Sequence, residues 1–370
     1  GKKNKLGFLK VCEIERLERF LFFYFVLVLM YRIIQEGKAK IKIGVEEKIS
    51  KKLPVFYNPV MKFNRDVSVL LLEAIENKDM QVGLPLSATG VRGIRFLKEL
   101  SKSKIKVVKF NDHDKNAVKI IKQNLKLNKI KSKVEVYNQD ANLFMLEHPG
   151  FDYIDIDPYG SPNIFLDSAI KRLSRNGILA VTATDTGCLA GTFVNACLRK
   201  YWAMPIRDEM MHETGLRILI RKVQLIGADH DKALKPIFSY FKDHYFRIFF
   251  RCEKGKKKVD EILKQHGMFN EAGPLWMGSL FDSKIASKIA KKSDENFLKI
   301  IEKESKISVL GFYDIHKICK RNKLKAPKTE LLIKEIKKKG FKVSKTHFSS
   351  LSVKSDIKLA KLVKLIRRLK

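Results

Sequence analysis

Residues 81–100 read QVGLPLSATGVRGIRFLKEL. An apolar run over 81–86 meets a loop of small residues, Ser87-Ala88-Thr89-Gly90-Val91-Arg92-Gly93, and the loop opens into an amphipathic stretch that ends at Leu100. This pattern predicts a strand, a turn and a helix. The same alternation continues downstream. Strands are predicted over 106–111, 133–137 and 151–156, and a fifth over 177–184. Between them, residues 116–128 carry Ala117, Ile120, Ile121, Asn124 and Leu125 at helical spacing, and 162–173 also read as a helix. Strands alternating with helices predict an α/β fold with a mostly parallel sheet covered on both faces.

The unit ends differently from a simple dinucleotide fold. Residues 237–241 and 244–252 read as two strands around a tight turn. A parallel sheet closed by a terminal antiparallel hairpin is the class I methyltransferase variant of the Rossmann-like fold, which makes this architecture the expectation.

The 370 residues suit two domains, and an apolar fraction of 45% excludes wholesale disorder. Lys and Arg total 75 against 40 Asp and Glu, a net charge of +35 that calls for a polyanionic partner or an anionic surface. Residues 255–370 hold 30 basic and 12 acidic residues, so the excess is densest in the last third. There, helices are predicted over 314–324 and 327–339, Gly340 fits the stop, and a strand is predicted over 341–348. This order suggests a small, basic α+β, winged-helix-like module. The predicted division is 1–35 as an extension outside the fold, 36–254 as the catalytic domain and 255–370 as the basic domain. Five cysteines form no CxxC, which argues against a disulfide framework or a four-cysteine metal site and fits a reducing, cytoplasmic setting.

Residues 20–31, FLFFYFVLVLMY, are twelve apolar residues, short of the roughly 20 that span a bilayer. Lysines precede the run as in a signal peptide, but no small-x-small cleavage site follows. Met30 is the expected natural start.

Only Gly90 and Gly93 stand in the loop, so the full GxGxxG pyrophosphate cradle is absent. S-adenosylmethionine has no phosphate and needs only close backbone approach and a carboxylate for its ribose. Asp112, at the end of the second strand, is the candidate for the ribose hydroxyls. Asp114 reads as a helix cap. Asp140 and Ala141, after the third strand, are candidates near the adenine, and Arg65, one turn into a helix, is placed to clamp a carboxylate.

The chemical centre is Asp155-Ile156-Asp157-Pro158-Tyr159-Gly160, after the fourth strand. An Asp-Pro-aromatic turn suits methylation of an exocyclic amine, whose lone pair is delocalised into the base. A carboxylate and a backbone carbonyl each accept one N–H and aim the lone pair, and Pro158 stiffens the turn. Tyr159 is placed to stack on an extruded base. The bland alternative is an Asx-type turn with a buried tyrosine. Phe56, between Pro54 and Pro59, reads by itself as core packing. Asp155 reads as a support for its neighbours.

Several ordered motifs resemble the tRNA guanine-N2 dimethyltransferase family, which modifies guanine 26. They are Gln35–Ile41 (QEGKAKI), Phe56-Tyr57-Asn58-Pro59, Asn64-Arg65-Asp66, the 87–95 loop, Asn111-Asp112, Asp140-Ala141-Asn142 and Asp157-Pro158-Tyr159-Gly160-Ser161. Val181-Thr182-Ala183-Thr184-Asp185, Cys197-Leu198-Arg199-Lys200-Tyr201, Asp243-His244-Tyr245-Phe246-Arg247 and Thr346-His347-Phe348-Ser349 complete the set. The resemblance implies two methyl transfers from S-adenosylmethionine to N2 of guanine 26 in tRNA. It implies Arg65, Arg92, Asp112, Asp140 and Ala141 as cofactor contacts, Asp157 as the catalytic carboxylate, and Phe56 and Tyr159 as aromatics flanking the guanine. Three positions depart from the family: Leu84 stands where an acid is frequent, Tyr159 replaces Phe, and Cys252 is alone where some members carry a zinc cluster, so no metal is expected. A DNA adenine-N6 methyltransferase and a non-catalytic RNA-binding protein with a degenerate cofactor site are the alternatives.

Period-two spacing puts Tyr245, Arg247, Phe249 and Arg251 on one strand face, which suits a nucleic-acid surface or an edge strand with snorkelling arginines. Lys317, Lys320, Arg321, Lys323, Lys325 and Lys337–Lys339 are candidate phosphate contacts. The basic amphipathic segment 359–370 suits RNA better than a membrane surface. His113, His212 and Glu213 lack metal-ligand spacing and read as structural.

Overall fold

The computed structural model describes residues 31–44, 56–148 and 150–369. The apolar run before Tyr31 and the expected start at Met30 lie outside them. The chain opens with an antiparallel hairpin, β1 (Tyr31–Glu36) and β2 (Ala39–Gly44), turned at Gly37 with φ 54°. Tyr31–Gln35, read with the extension, therefore belong to a strand. Two amide side chains fasten the hairpin to helix α3 (Lys115–Leu127): Lys40 N donates to Asn128 Oδ1 at 2.9 Å and Lys42 N to Asn124 Oδ1 at 2.7 Å.

The main sheet comprises β3 (Met80–Leu84), β4 (Ile105–Asn111), β5 (Val134–Tyr137), β6 (Phe151–Ile156), β7 (Leu173–Ala183), β8 (Lys232–Lys242) and β9 (Tyr245–Lys254). Their order is β5-β4-β3-β6-β7-β9-β8, parallel except that β9 runs antiparallel to both neighbours. This is the predicted class I arrangement. β6 is buried along nearly its whole length, as a strand covered on both faces must be. β7 and β8 start earlier than their apolar runs. At the start of β8, the buried Lys232 ammonium donates to the carbonyls of Ile170, Lys171 and Leu173 at 2.6, 3.0 and 2.8 Å, which satisfies the end of helix α5 (Asn163–Arg172).

Helix α1 (Lys62–Ala74) and α2 (Val91–Glu99) pack beside the first strands. A Cβ on Gly93 would lie 2.4 Å from the Phe110 ring, so only glycine permits this close approach of α2 to β4. The chain reverses direction across the sheet between β3 and β6, which opens a crevice at their carboxyl ends.

Past β9 the hydrophobic interior does not break at once. Val259, Ile262, Leu275, Ile289 and Ile301 share the core of the large sheet. A second core begins at Ile315. It is built from β12 (Tyr313–Asp314), α12 (Ile315–Arg321), α13 (Thr329–Lys338), β13 (Val343–Thr346), β14 (Ser349–Ser355) and α14 (Leu359–Arg368). The three strands form an antiparallel sheet in the order β12-β14-β13, in line with the winged-helix-like expectation. Leu362, Leu365 and Ile366 of α14 are buried in this core, so its apolar face is spent on packing.

Helix α8 (Met211–Ala228) brings Glu213 to the junction of the two cores. Glu213 accepts from Gly311 N at 3.0 Å and Arg217 Nε at 3.0 Å, and Lys354 Nζ lies 3.3 Å from it and 3.6 Å from Glu304. His347 Nδ1 is 2.7 Å from Glu304. All five side chains are buried. Among the described residues no helix is long and apolar enough to cross a membrane.

Candidate active site

A cavity of about 650 Å³ fills the crevice. Phe56, Arg65, Arg92, Asp112, Asp157 and Tyr159 all line it, so six of the eight singled-out residues converge. Asp140 and Ala141 are not on its wall. Asp140 caps the short helix Ala141–Glu147, its Oδ1 accepting from Asn142 N at 2.8 Å and Leu143 N at 3.1 Å.

The loop after β3 is shaped by backbone geometry. Ala88 has φ 46° and Gly90 φ 76°. Asp112 fixes the loop, accepting from Ala88 N at 2.8 Å on one oxygen and from Asp114 N at 3.0 Å on the other. Asp114 caps α3 as expected, through Asn116 N. Thr89 Oγ1 is buried on this wall without a hydrogen-bond partner among the described residues. Leu84 adds an apolar surface where the family often has an acid.

Arg65 does not present an open fork. Its Nε and Nη2 bind Glu36 Oε1 and Oε2 at 2.7 and 2.6 Å, and Nη2 also reaches the Asn58 carbonyl at 3.1 Å. Tyr57 donates to the same carboxylate at 2.8 Å, and Arg95 Nη1 at 2.9 Å. Burial would raise the Glu36 carboxyl, but Arg65, Tyr57 and Arg95 outweigh it and hold it at about 2. The clamp expected for a cofactor carboxylate is thus filled by Glu36, and Arg65 shapes the wall that carries Phe56.

Arg92 faces the chemical centre. Its Nη2 pairs with Asp157 Oδ2, and its Nη1 binds Asn64 Oδ1 at 3.0 Å and Ser68 Oγ at 2.7 Å and lies 3.4 Å from Asp155 Oδ2. Behind it, Arg247 Nη1 and Nη2 bind the two oxygens of Asp155 at 2.8 Å each, with Thr182 Oγ1 and Ser68 Oγ at 2.9 Å. Tyr153 donates to Asp155 as well. Burial pushes the Asp155 carboxyl up, yet Arg247 and Arg92 more than compensate and keep it below its ordinary value. Asp155 is therefore a charged support, and the chain Asp157–Arg92–Asp155–Arg247 alternates in sign from cavity to core.

This placement overturns the surface reading of β9. Arg247 is fully buried, as are Tyr245 and Phe249, because β9 lies between β7 and β8 and is covered on both faces. It is neither an edge strand nor a nucleic-acid surface.

The Asp157–Gly160 turn is clamped from the next strand. Thr184 N donates to the Gly160 carbonyl at 2.9 Å, and Gly160 N donates to Thr184 Oγ1 at 2.6 Å. Tyr201 OH binds Asp185 at 2.7 and 2.9 Å and lies 3.0 Å from Ser161 Oγ. Burial, reinforced by Asp185, pushes the Tyr201 phenol up, so it stays a donor. Tyr159 stands at the rim, 70% exposed, across the cavity lining from the partly buried Phe56. Glu36, Asn64, Ser68, Thr184 and Tyr201 had no assigned role in the sequence reading. All but Ser68 lie inside the motifs quoted above, and that was the available signal.

Of the basic candidates in the second core, Lys317 and Arg321 are engaged with Glu209 at 2.8 and 3.9 Å, and Lys320, Lys323, Lys325 and Lys337–Lys339 are exposed. His212 stacks on Phe241 with ring centroids 3.7 Å apart. Among the described residues no group of three His, Cys, Asp or Glu side chains is placed to hold a metal ion.

The profile of a family described as N2,N2-dimethylguanosine tRNA methyltransferase matches residues 37–272 and 266–367. The tRNA (guanine(26)-N(2))-dimethyltransferase of Methanobrevibacter smithii is 37% identical over 382 residues, covering 91% of this chain and 97% of that protein. The tRNA (guanine(26)-N(2)/guanine(27)-N(2))-dimethyltransferase of Aquifex aeolicus is 36% identical, covering 91% and 96%. The solved structure of Trm1 from Pyrococcus horikoshii with S-adenosyl-L-methionine superposes with a TM-score of 0.82 at 36% identity, covering 90% of this chain and 99% of that one. With its sheet order, its crevice and its Asp-Pro-Tyr turn in agreement, this chain belongs to the N2,N2-dimethylguanosine tRNA methyltransferase family.

Proposed function

We propose that this protein transfers one methyl group, and then a second, from S-adenosyl-L-methionine to the exocyclic N2 of guanine 26 in tRNA. The observation that carries the reading is the position of Asp157: it ends at the cavity, on a rigid turn, with a buried Arg92–Asp155–Arg247 chain behind it.

The cavity fits the cofactor. It offers about 650 Å³, an anionic Asp112 at the end of β4, a loop whose backbone approaches closely at Ala88 and Gly90, and the unpartnered Thr89 hydroxyl. Asp112 and the 87–90 loop would hold the nucleoside part, with Arg92 flanking the methionine part, while Asp140 and Ala141 stand behind the cavity wall, where Asp140 caps a helix. When bound, the cofactor supplies a methyl group on a positively charged sulfur.

The protein's own residues do the rest. Phe56 and Tyr159 sandwich the extruded guanine and hold its amine toward Asp157. Asp157 accepts one N–H and the turn's carbonyl accepts the other, which frees the nitrogen lone pair from the ring. As the N–C bond forms, nitrogen gains positive charge, and Asp157 takes up the departing proton. Arg92, paired with Asp157, holds it oriented for this. The product retains one N–H, which Asp157 accepts in the second round, when the turn's carbonyl no longer has an N–H to accept. Residues 36–254 perform the chemistry, and the basic 255–370 region holds tRNA. Free, buried thiols at Cys188, Cys197, Cys252 and Cys319 suit a cytoplasmic enzyme.

The test uses unmodified tRNA, labelled S-adenosyl-L-methionine and nucleoside mapping. N2,N2-dimethylguanosine at position 26 is the expected product. Label in N6-methyladenine, or incorporation only into DNA, would overturn the substrate assignment.

A further inference from the structure

One surface beside the active site is not explained by the fold. Helix α7 (Val194–Tyr201) follows the carboxyl end of β7 through the short helix α6 (Thr186–Leu189). Its inner face is core: Cys197 and Tyr201 are fully buried. Its outer side carries exposed Val194 and Leu198 among the polar Asn195, Arg199 and Lys200. Phe193 is 60% exposed, Leu198 40% and Trp202 51%. Val194, itself 37% exposed, and Leu198 are four residues apart and share a helical face, while Phe193 and Trp202 cap the two ends of the helix, with Lys222 Nζ over the Trp202 ring. Clustered large apolar side chains of this kind mark a binding surface rather than ordinary scatter.

Two further observations identify what binds. The segment 186–207 holds Arg199, Lys200 and Arg207, with Asp185 and Asp208 just outside it and Lys200 Nζ 3.9 Å from Asp185, so its exposed apolar side chains are bordered by a net positive charge. It is also continuous with the chemical centre. Tyr201 OH reaches Ser161, which follows the Asp157–Gly160 turn, and Asn163 Nδ2 donates to the Lys200 carbonyl at 2.8 Å. Ser161 lines the cavity. A surface that is aromatic and aliphatic, cationic, and fused to a base-binding cavity matches a nucleic acid whose stack has been opened.

We propose that α7 and its flanks receive the RNA immediately beside the target: Phe193, Leu198 and Trp202 cover the bases exposed when the guanine leaves the stack, and Arg199 and Lys200 bind the flanking phosphates. This rests on the tRNA reading above and extends it to a second set of residues. The tie through Tyr201 then couples RNA seating to the catalytic turn, because both are fixed to the same hydroxyl.

The experiment compares the full chain with Phe193→Ala/Leu198→Ala and Arg199→Glu/Lys200→Glu. Measured are transfer kinetics on unmodified tRNA, equilibrium binding of that tRNA without cofactor, Kd for S-adenosyl-L-methionine, and sedimentation. The expected result is a rise of about tenfold in KM and in tRNA Kd for each double variant, with cofactor Kd unchanged. For the apolar variant, an RNA carrying the guanine in an unpaired, single-stranded segment should recover most of the loss. Unchanged tRNA binding by both variants would overturn the inference while leaving the proposed activity intact. A wild-type protein that binds cofactor but fails to methylate tRNA would instead overturn the activity, and the binding arm would still decide the surface. A wild-type dimer that the apolar variant dissociates, with tRNA affinity kept, would assign the face to a second copy and also overturn it.

Discussion

Two of the buried ionic clusters in this molecule are built to different ends. Behind the catalytic turn, Arg247, Asp155, Arg92 and Asp157 alternate in sign, and side-chain exposure rises along the chain from 0% at Arg247 to 19% at Asp157. At the junction of the cores, Glu213, Arg217, Lys354, Glu304 and His347 are closed on themselves and on backbone groups, with no member more than 3% exposed. In both, every buried charge is paired, while Arg247 Nε and His347 Nε2 are buried without a hydrogen-bond partner among the described residues. The first ends in a carboxylate at the large cavity of about 650 Å³, whereas Arg217, Glu304 and Lys354 of the second line a smaller one of about 160 Å³. The junction cluster ties two cores together; the catalytic one fastens at its inner end and presents the more exposed Asp157 at its outer end.

The sharpest way to break the comparison is Asp155→Asn. It leaves Arg247 and Arg92 short of one negative charge, so unfolding stability should fall by about 3–5 kcal/mol, with transfer falling too. Urea denaturation that shows less than about 1 kcal/mol would mean the inner end does not fasten. Next comes Asp157→Asn, which touches only the outer end. Turnover should fall about 100- to 1,000-fold while cofactor and tRNA affinities hold. Retained turnover would remove Asp157 from its role.

Glu213→Gln tests the closed cluster. A loss of about 1–3 kcal/mol in stability is expected, with kcat on tRNA unchanged. A large fall in kcat at unchanged stability would show that the junction does more than fasten.

The smallest effect concerns pH. His212 beside Glu213 is pushed down from 6.5 to about 4 by burial and by His347. The folded state holds this ring neutral, whereas the unfolded state protonates it below 6.5. Its contribution is therefore complete above pH 6.5 and is lost as pH falls toward 4. His212→Phe should flatten the decline of stability across that window by about 1 kcal/mol, read from thermal melts at several pH values. An unchanged slope would place the titration elsewhere.

Most of the sheet was legible because parallel strands buried on both faces are continuous apolar runs, and 151–156 matched β6 residue for residue. The turn residues Asp157 and Tyr159 were legible because their chemistry is carried by adjacent positions. Arg247 was not. Period two says which residues share a face but not what covers it, and its partner Asp155 is 92 residues away. The Glu213–Lys354 pair, 141 residues apart, is invisible for the same reason. Arg65 was recognised as a site residue, but its occupation by Glu36 depends on where the β1–β2 hairpin docks, which no local pattern encodes. Asp140 is a cap by local geometry, and capping is what a short acidic side chain before a helix does most readily.

The β1–β2 hairpin has a consequence for the order of assembly. It precedes every strand of the sheet in the chain, yet its partners are Arg65, Arg95, Asn124 and Asn128. During synthesis it leaves the ribosome ahead of the main sheet, and its contacts are complete only once α1, α2 and α3 have followed it. The wall that carries Phe56 therefore forms only after the first half of the sheet has closed, because the Glu36 that holds Arg65 and Tyr57 arrives with the hairpin. An early segment of the domain waits for later ones to find its place, and the cavity has no complete wall before it does.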